Sequence, residues 1–193
     1  MIKYLAILVL TILIIGCNEE KKKDKEHIHI ENTSESTESN KKKPLSPHLS
    51  TMAAIGGAHI HIDYSSPGVR GRIVFGGLLP YNEVWQSGAH MATWIETNKS
   101  LTINGRVLPK GKYGFFTIPS KDEWTVIFNS NWNQHGKDDY NEKDDILRFK
   151  VKPETLDKTI EHLEYKVKDV SNDEGTISLA WEKVMISFNF KVE

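Results

Sequence analysis

From residue 58 onward apolar and polar side chains take turns. Ala58-His59-Ile60-His61-Ile62-Asp63-Tyr64 alternates strictly, the two-residue period of a half-buried strand. The isoleucines fall on one face, the two histidines and Asp63 on the other. The same alternation, or a run rich in β-branched and aromatic residues, recurs along the chain with turn signals between. It predicts strands over 58–64, 72–75, 92–97, 100–103, 107–108, 112–118, 124–129, 145–151, 160–170, 176–181 and 184–192. Asn104-Gly105 makes a two-residue hairpin turn, because both positions accept positive φ. Pro109-Lys110-Gly111 and Asn172-Asp173-Glu174-Gly175 supply two more turns. No segment sustains a 3.6-residue apolar period, and 80–86 has room for one helical turn at most. Many short antiparallel strands without crossover helices predict an all-β fold, an antiparallel β-sandwich of jelly-roll type. Two irregular stretches stand out: "SSPGVRG" at 65–71 and "SNWNQHGKDDYNEK" at 130–143. Loops of that length are often functional.

The N-terminus follows a different pattern. Lys3 precedes an apolar run from Tyr4 to Ile15, broken only by Thr11. The run is too short to span a bilayer, which takes about 20 residues, and it has the length and flanks of a signal-peptide core. It ends in Ile14-Ile15-Gly16-Cys17, which resembles a bacterial lipobox, with Cys17 as the acylated first residue of the mature chain. The plainer alternative is a secretory signal that happens to contain a cysteine. Residues 1–16 are thus expected to be a lipoprotein signal peptide and 17–46 the lipidated cysteine with a polar tether. The tether holds almost nothing apolar to offset its ordering entropy, so disorder is expected there. Residues 47–193 then form the β-sandwich domain. The chain belongs, on this reading, to the bacterial cell envelope, as an outer-membrane lipoprotein facing the periplasm or the cell surface.

Charge and cysteine content narrow the partners. The 193-residue chain carries 25 Lys and Arg against 26 Asp and Glu, and no basic stripe is interleaved with aromatics. Nucleic acid is therefore not an expected partner. Cys17 is the single cysteine, so no disulfide supports the domain and a packed core must. The expected partners are the membrane, through the lipid, and an undefined small molecule or protein.

Several segments together resemble a family. "YSSPGVRGR", "FGGLLPYNEVWQSGAHMAT", "INGRVLPKGKYGFFTIP", "EWTVIFN" and "DDILRFKV", in that order, are similar to the bacterial secreted and lipoprotein family catalogued as domain of unknown function 2911. The resemblance runs from about Ser46 to Trp181. It implies a β-rich extracytoplasmic domain and no particular reaction. Many members resemble W-R-T-G-A-N-E-A-T where this chain has Trp85-Gln86-Ser87-Gly88-Ala89-His90-Met91-Ala92-Thr93. The Arg and Glu of that version are absent here, so a role for them does not carry over.

The histidines are the one feature that points to chemistry. His59 and His61 leave one strand face about 6–7 Å apart at Cα, a separation from which two imidazoles converge on an ion. His90, after the small pair Gly88-Ala89, is the candidate third ligand, and His135 in the long loop a fourth ligand or a gate. Asp63, Glu96 and Asp139 are candidate outer acceptors. Imidazoles in that number suit Zn²⁺ or Cu²⁺. The glutamate that a cupin motif requires after the second histidine is missing. The competing reading is a solvated strand face, since alternating polar residues are what an antiparallel sheet shows to water. His48 and His162 read as ordinary surface residues. Trp132 is the one tryptophan without apolar neighbours in sequence, in "NSNWNQH", and is a candidate to stack on a ligand such as a sugar ring. Two functions of different class follow: a metal-binding envelope lipoprotein using His59, His61, His90 and His135, or a non-catalytic binding domain using the Trp132 loop and "SSPGVRG". The first is the expectation taken forward.

Overall fold

A computed structural model describes residues 44–193. The signal segment 1–16, Cys17 and nearly all of the tether lie outside the described residues. Ten strands are described: β1 (His48–Ile55), β2 (Ala58–Ser65), β3 (Trp94–Thr97), β4 (Leu101–Ile103), β5 (Arg106–Leu108), β6 (Gly111–Ile118), β7 (Trp124–Asn129), β8 (Asp145–Val151), β9 (Glu154–Ser171) and β10 (Glu174–Val192). They form two antiparallel sheets, one ordered β1-β2-β3-β6-β7-β8 and the other β5-β4-β10-β9. The fold is a β-sandwich, as the alternation predicts.

The strand faces follow from the sequence. In β2, Ala58, Ile60, Ile62 and Tyr64 are buried while His59, His61 and Asp63 face outward. In β10, Ile177, Leu179 and Trp181 are buried at odd positions, then Ile186, Phe188, Phe190 and Val192 at even ones. The parity changes at Glu182, which has φ +56° and sits at a break in the β9 register. One bulged residue therefore rotates the remainder of the strand back toward the core. That is why the sequence reads as two strands, 176–181 and 184–192, where the structure has one.

The core is aromatic. Phe188 meets Phe149 at 5.1 Å, Phe128 at 6.1 Å and Phe115 at 6.2 Å between ring centroids. Each such side chain contributes roughly 1.5–3 kcal/mol through burial. A second group packs around Phe75, which contacts Trp124 at 4.9 Å and Trp181 at 6.0 Å. Residues 72–75, expected as a strand, are instead turns that plug the sandwich. Val74 and Phe75 are buried, while Leu79 N donates to Val74 O at 2.8 Å and Gly76 N to Leu79 O at 2.8 Å. The run is apolar because it is buried, not because it is extended.

β6 and β7 are buried on both faces. Phe115 and Phe128 pair toward the main core; Phe116 and Ile127 pair on the opposite face and form a small second core with Ala92. Val84 and Tyr140 pack on this second core from the segments 80–93 and 130–145. These coverings reach the Trp94 end of β3 through Trp132 and leave most of the outer face of β1 and β2 open.

Candidate functional site

The structure does not gather the four histidines: His59 and His61 lie on β2, while a backbone bridge between Met91 and His135 sets His90 and His135 in adjoining turns. Register puts Ala54 opposite His59 and Met52 opposite His61 on β1, and Glu96 opposite His61 on β3. His59 is exposed. The His61 ring packs edge-on against Trp94, with centroids 4.8 Å apart, and its Nε2 is buried without a partner. Asp63 pairs with His48 at 2.9 Å and so does not orient either of them. His90 lies in a turn with φ +62°, and its carbonyl accepts from Gly136 N at 2.8 Å. His135 is exposed and its Nδ1 lies 3.2 Å from Asp138 Oδ2. Among the described residues no group of three His, Cys, Asp or Glu side chains is placed to hold a metal ion. The expectation that a histidine cluster of His59, His61, His90 and His135 binds a transition metal is overturned by this finding. The strand alternation is as expected, but neither neighbouring strand sets a histidine opposite His59 or His61, and the His48 of β1 reaches only Asp63.

What the open face does hold is a cleft built around Trp132. Its volume is about 160 Å³, and its walls include His48, Asp63, Met91, Trp94, Trp132 and Asn133. Trp94 and Trp132 stand edge to face, 6.3 Å apart. The Lys112 ammonium lies 3.4 Å from the Trp94 ring centroid and 3.8 Å from that of Trp132, a double cation–π contact. It has no carboxylate within ion-pair distance among the described residues. The same alternation that buries Ile95 turns Trp94 and Glu96 outward. Reading that parity in "ATWIET" would have found it.

The Trp132 loop is held by a polar clamp. Asn129, buried at the end of β7, donates from Nδ2 to Asn141 O at 3.0 Å and Asp145 Oδ1 at 2.7 Å. Its Oδ1 accepts from Asn131 N at 2.9 Å. One side chain thus joins the two ends of the loop. Asp145 also receives Tyr140 OH at 2.9 Å and Arg148 at 3.1 Å. Burial, and then the hydrogen bond to Asp145, push the Tyr140 hydroxyl well above the usual tyrosine range. Gln134 Nε2 donates to Asn131 O at 2.7 Å and Gln134 O accepts from Ala92 N at 3.0 Å, which fixes the loop's return. Trp132 enters the cleft from an anchored loop, not from a free one.

Ser87 and His90, three residues apart in sequence, do not cooperate. Ser87 is buried with its hydroxyl 3.0 Å from Thr117 Oγ1, while the His90 side chain is exposed.

Fold and site together define a β-sandwich domain with an aromatic, lysine-bridged cleft on one sheet face. The chain belongs to the family described as protein of unknown function (DUF2911), whose model matches residues 46–190. No curated protein and no solved structure matches it.

Proposed function

We propose that this chain is a non-enzymatic binding protein of the bacterial cell envelope. A lipid on Cys17 anchors it to the outer membrane, and the Trp94–Trp132 cleft takes a small polyhydroxylated ligand, a sugar ring by its chemistry. The observation that carries this reading is the pair of indoles lining a cleft whose other walls set the polar groups of His48, Asp63, Ser65 and Asn133 beside the apolar Met91 and Ala92. A pyranose has an apolar C–H face that matches an indole and a rim of hydroxyls. Asp63 accepts from such hydroxyls, and Asn133 and His48 offer further partners at the same edge. The volume of about 160 Å³ suits one ring, below the roughly 300–1,000 Å³ of drug-sized sites.

The test is a calorimetric titration of the protein with glucose, galactose, N-acetylglucosamine and glucuronate. Millimolar binding of at least one, lost in Trp132→Ala while the melting temperature holds, supports the reading. Silence from all four, or equal binding by the variant, overturns it. Anchorage is tested separately by membrane fractionation. The wild-type chain is expected in the membrane pellet and to take up radiolabelled palmitate, and Cys17→Ser to lose the label; a wild-type chain without label, or a variant that keeps it, refutes the lipid anchor.

A further inference from the structure

The "SSPGVRG" loop and His90, unused by the cleft, meet elsewhere. They border a second cavity of about 280 Å³, which Arg70, Arg72, Gln86, His90, Trp85 and Trp181 line among others. The floor is a pair of stacked indoles, Trp85 and Trp181, with centroids 5.8 Å apart at an angle of 25°. The rim is cationic. Arg72 is pinned through Nε to Val69 O at 3.0 Å and through Nη2 to Gly68 O at 2.7 Å. Those bonds hold its guanidinium in place and leave donors over. The Arg70 side chain makes no hydrogen bond among the described residues, since Glu161 is taken by the Arg70 backbone N–H at 2.9 Å. Neither guanidinium has a carboxylate within ion-pair distance among those residues.

Two independent features mark the cavity as built for an acceptor. The indole N–H of Trp181, a residue 1% exposed, has no hydrogen-bond partner among the described residues. Buried donors are nearly always paired, so this unpaired one, on a residue that lines the cavity, is unusual. The backbone around it is strained as well. Of the six non-glycine residues with positive φ, Arg70, Ser87, His90 and Glu182 line the cavity or adjoin a lining residue. Such conformations persist only where the surroundings over-determine them, and they gather at ligand clamps. Here Tyr165 OH at 2.7 Å and Thr93 Oγ1 at 3.0 Å both donate to Ser87 O and lock that turn.

We infer that this cavity binds a small organic oxyanion, a carboxylate or phosphate carried on a flat apolar body. The guanidiniums of Arg70 and Arg72 take the charge, as their fork geometry suits either oxyanion. The apolar lining of Pro67, Leu78 and Leu79, backed by the buried Trp85–Trp181 pair, takes the body. The site is separate from the Trp132 cleft and stands whether or not that cleft binds a sugar.

The experiment is calorimetry on the full chain in mild detergent with four probes: phenyl phosphate, benzoate, inorganic phosphate and benzyl alcohol. Phenyl phosphate or benzoate is expected to bind, more weakly as salt rises. Inorganic phosphate lacks the ring, and benzyl alcohol lacks the charge, so each should bind at least about tenfold more weakly. The double variant Arg70→Ala/Arg72→Gln should lose at least about tenfold in affinity for the best probe. If that variant does not fold, Arg70→Ala alone decides, since its side chain supports nothing else. No binding by either charged aromatic probe, equal binding of benzyl alcohol, or undiminished affinity in the arginine variant would overturn the inference. The preferred probe distinguishes a carboxylate from a phosphate ligand.

Discussion

A methyl group placed on Gly114 would lie 2.8 Å from the Phe116 ring, 3.0 Å from Asn131 O and 3.3 Å from the Trp132 Cα. Two of those three atoms are backbone of the loop that carries Trp132, and backbone does not yield as a side-chain tip does. Gly114 faces Trp94 across the β3–β6 pair, so its missing side chain is what lets the loop lie on the sheet beside that indole. Gly114→Ala is therefore expected to lift the loop without touching any ligand atom. Stability should fall by about 1–3 kcal/mol, the usual cost of overpacking, and sugar affinity should drop further than the stability loss alone explains. Urea unfolding and calorimetry on the one variant measure both, and unchanged sugar binding would show that loop height does not set the cleft. Lys112 acts at the same scale. Its contact with two indoles contributes roughly 0.5–2 kcal/mol and holds them in their edge-to-face arrangement.

At the scale of elements, the sandwich is shaped by where strands change face and by what covers them. The bulge at Glu182 lets one long strand line both aromatic groups of the core, Trp181 on one side of it and Phe188 on the other. β6 and β7 are buried at most positions because irregular segments cover their outer face. Those coverings are the segments that form the two cavities, so the site is made by the same loops that complete the packing. Asn129 is the joint of the arrangement. Removing a buried hydrogen-bonding group of this kind costs roughly 1–3 kcal/mol per partner left unpaired, and the loss would fall on the ends of the Trp132 loop.

For the molecule as a whole, tyrosine burial sets the response to alkali. The hydroxyl of Tyr165, wholly buried, is pushed far above the usual tyrosine range by desolvation; Tyr64, 4.7 Å away, and Tyr113 are raised by burial too. Below about pH 10 these groups are neutral in both folded and unfolded chains, and their contribution is fully present. Above it the unfolded chain ionises first and binds fewer protons than the folded one, so stability falls as pH rises toward the folded values. Each raised tyrosine adds about 1.4 kcal/mol per pH unit to that slope. Urea midpoints measured from about pH 8 to about pH 11 should fall steeply in the upper half for the wild type and less steeply for Tyr165→Phe. Tyrosinate absorbance should appear with unfolding. Ionisation of Tyr165 in a still-folded protein would contradict this account.

The all-β class, most strand positions and the facing of β2 were legible in the sequence, because alternation is a property of each strand by itself. β1 was not: "HLSTMAAI" is an edge strand with a largely exposed face, and its extended form comes from pairing with β2. Residues 72–75 misled for the converse reason, since an apolar run records burial and not conformation. The same division runs through the site. That His59 and His61 share a face was determined by the sequence alone, and so was the odd position of Trp132. Whether other histidines meet them depends on register, which sets Ala54, Met52 and Glu96 beside them. The pairing of Trp132 with Trp94 and Lys112, and of Arg70 with Trp181, joins residues far apart in the chain. Only the tertiary structure decides such meetings, because loop placement and strand order, not local periodicity, choose each side chain's neighbours.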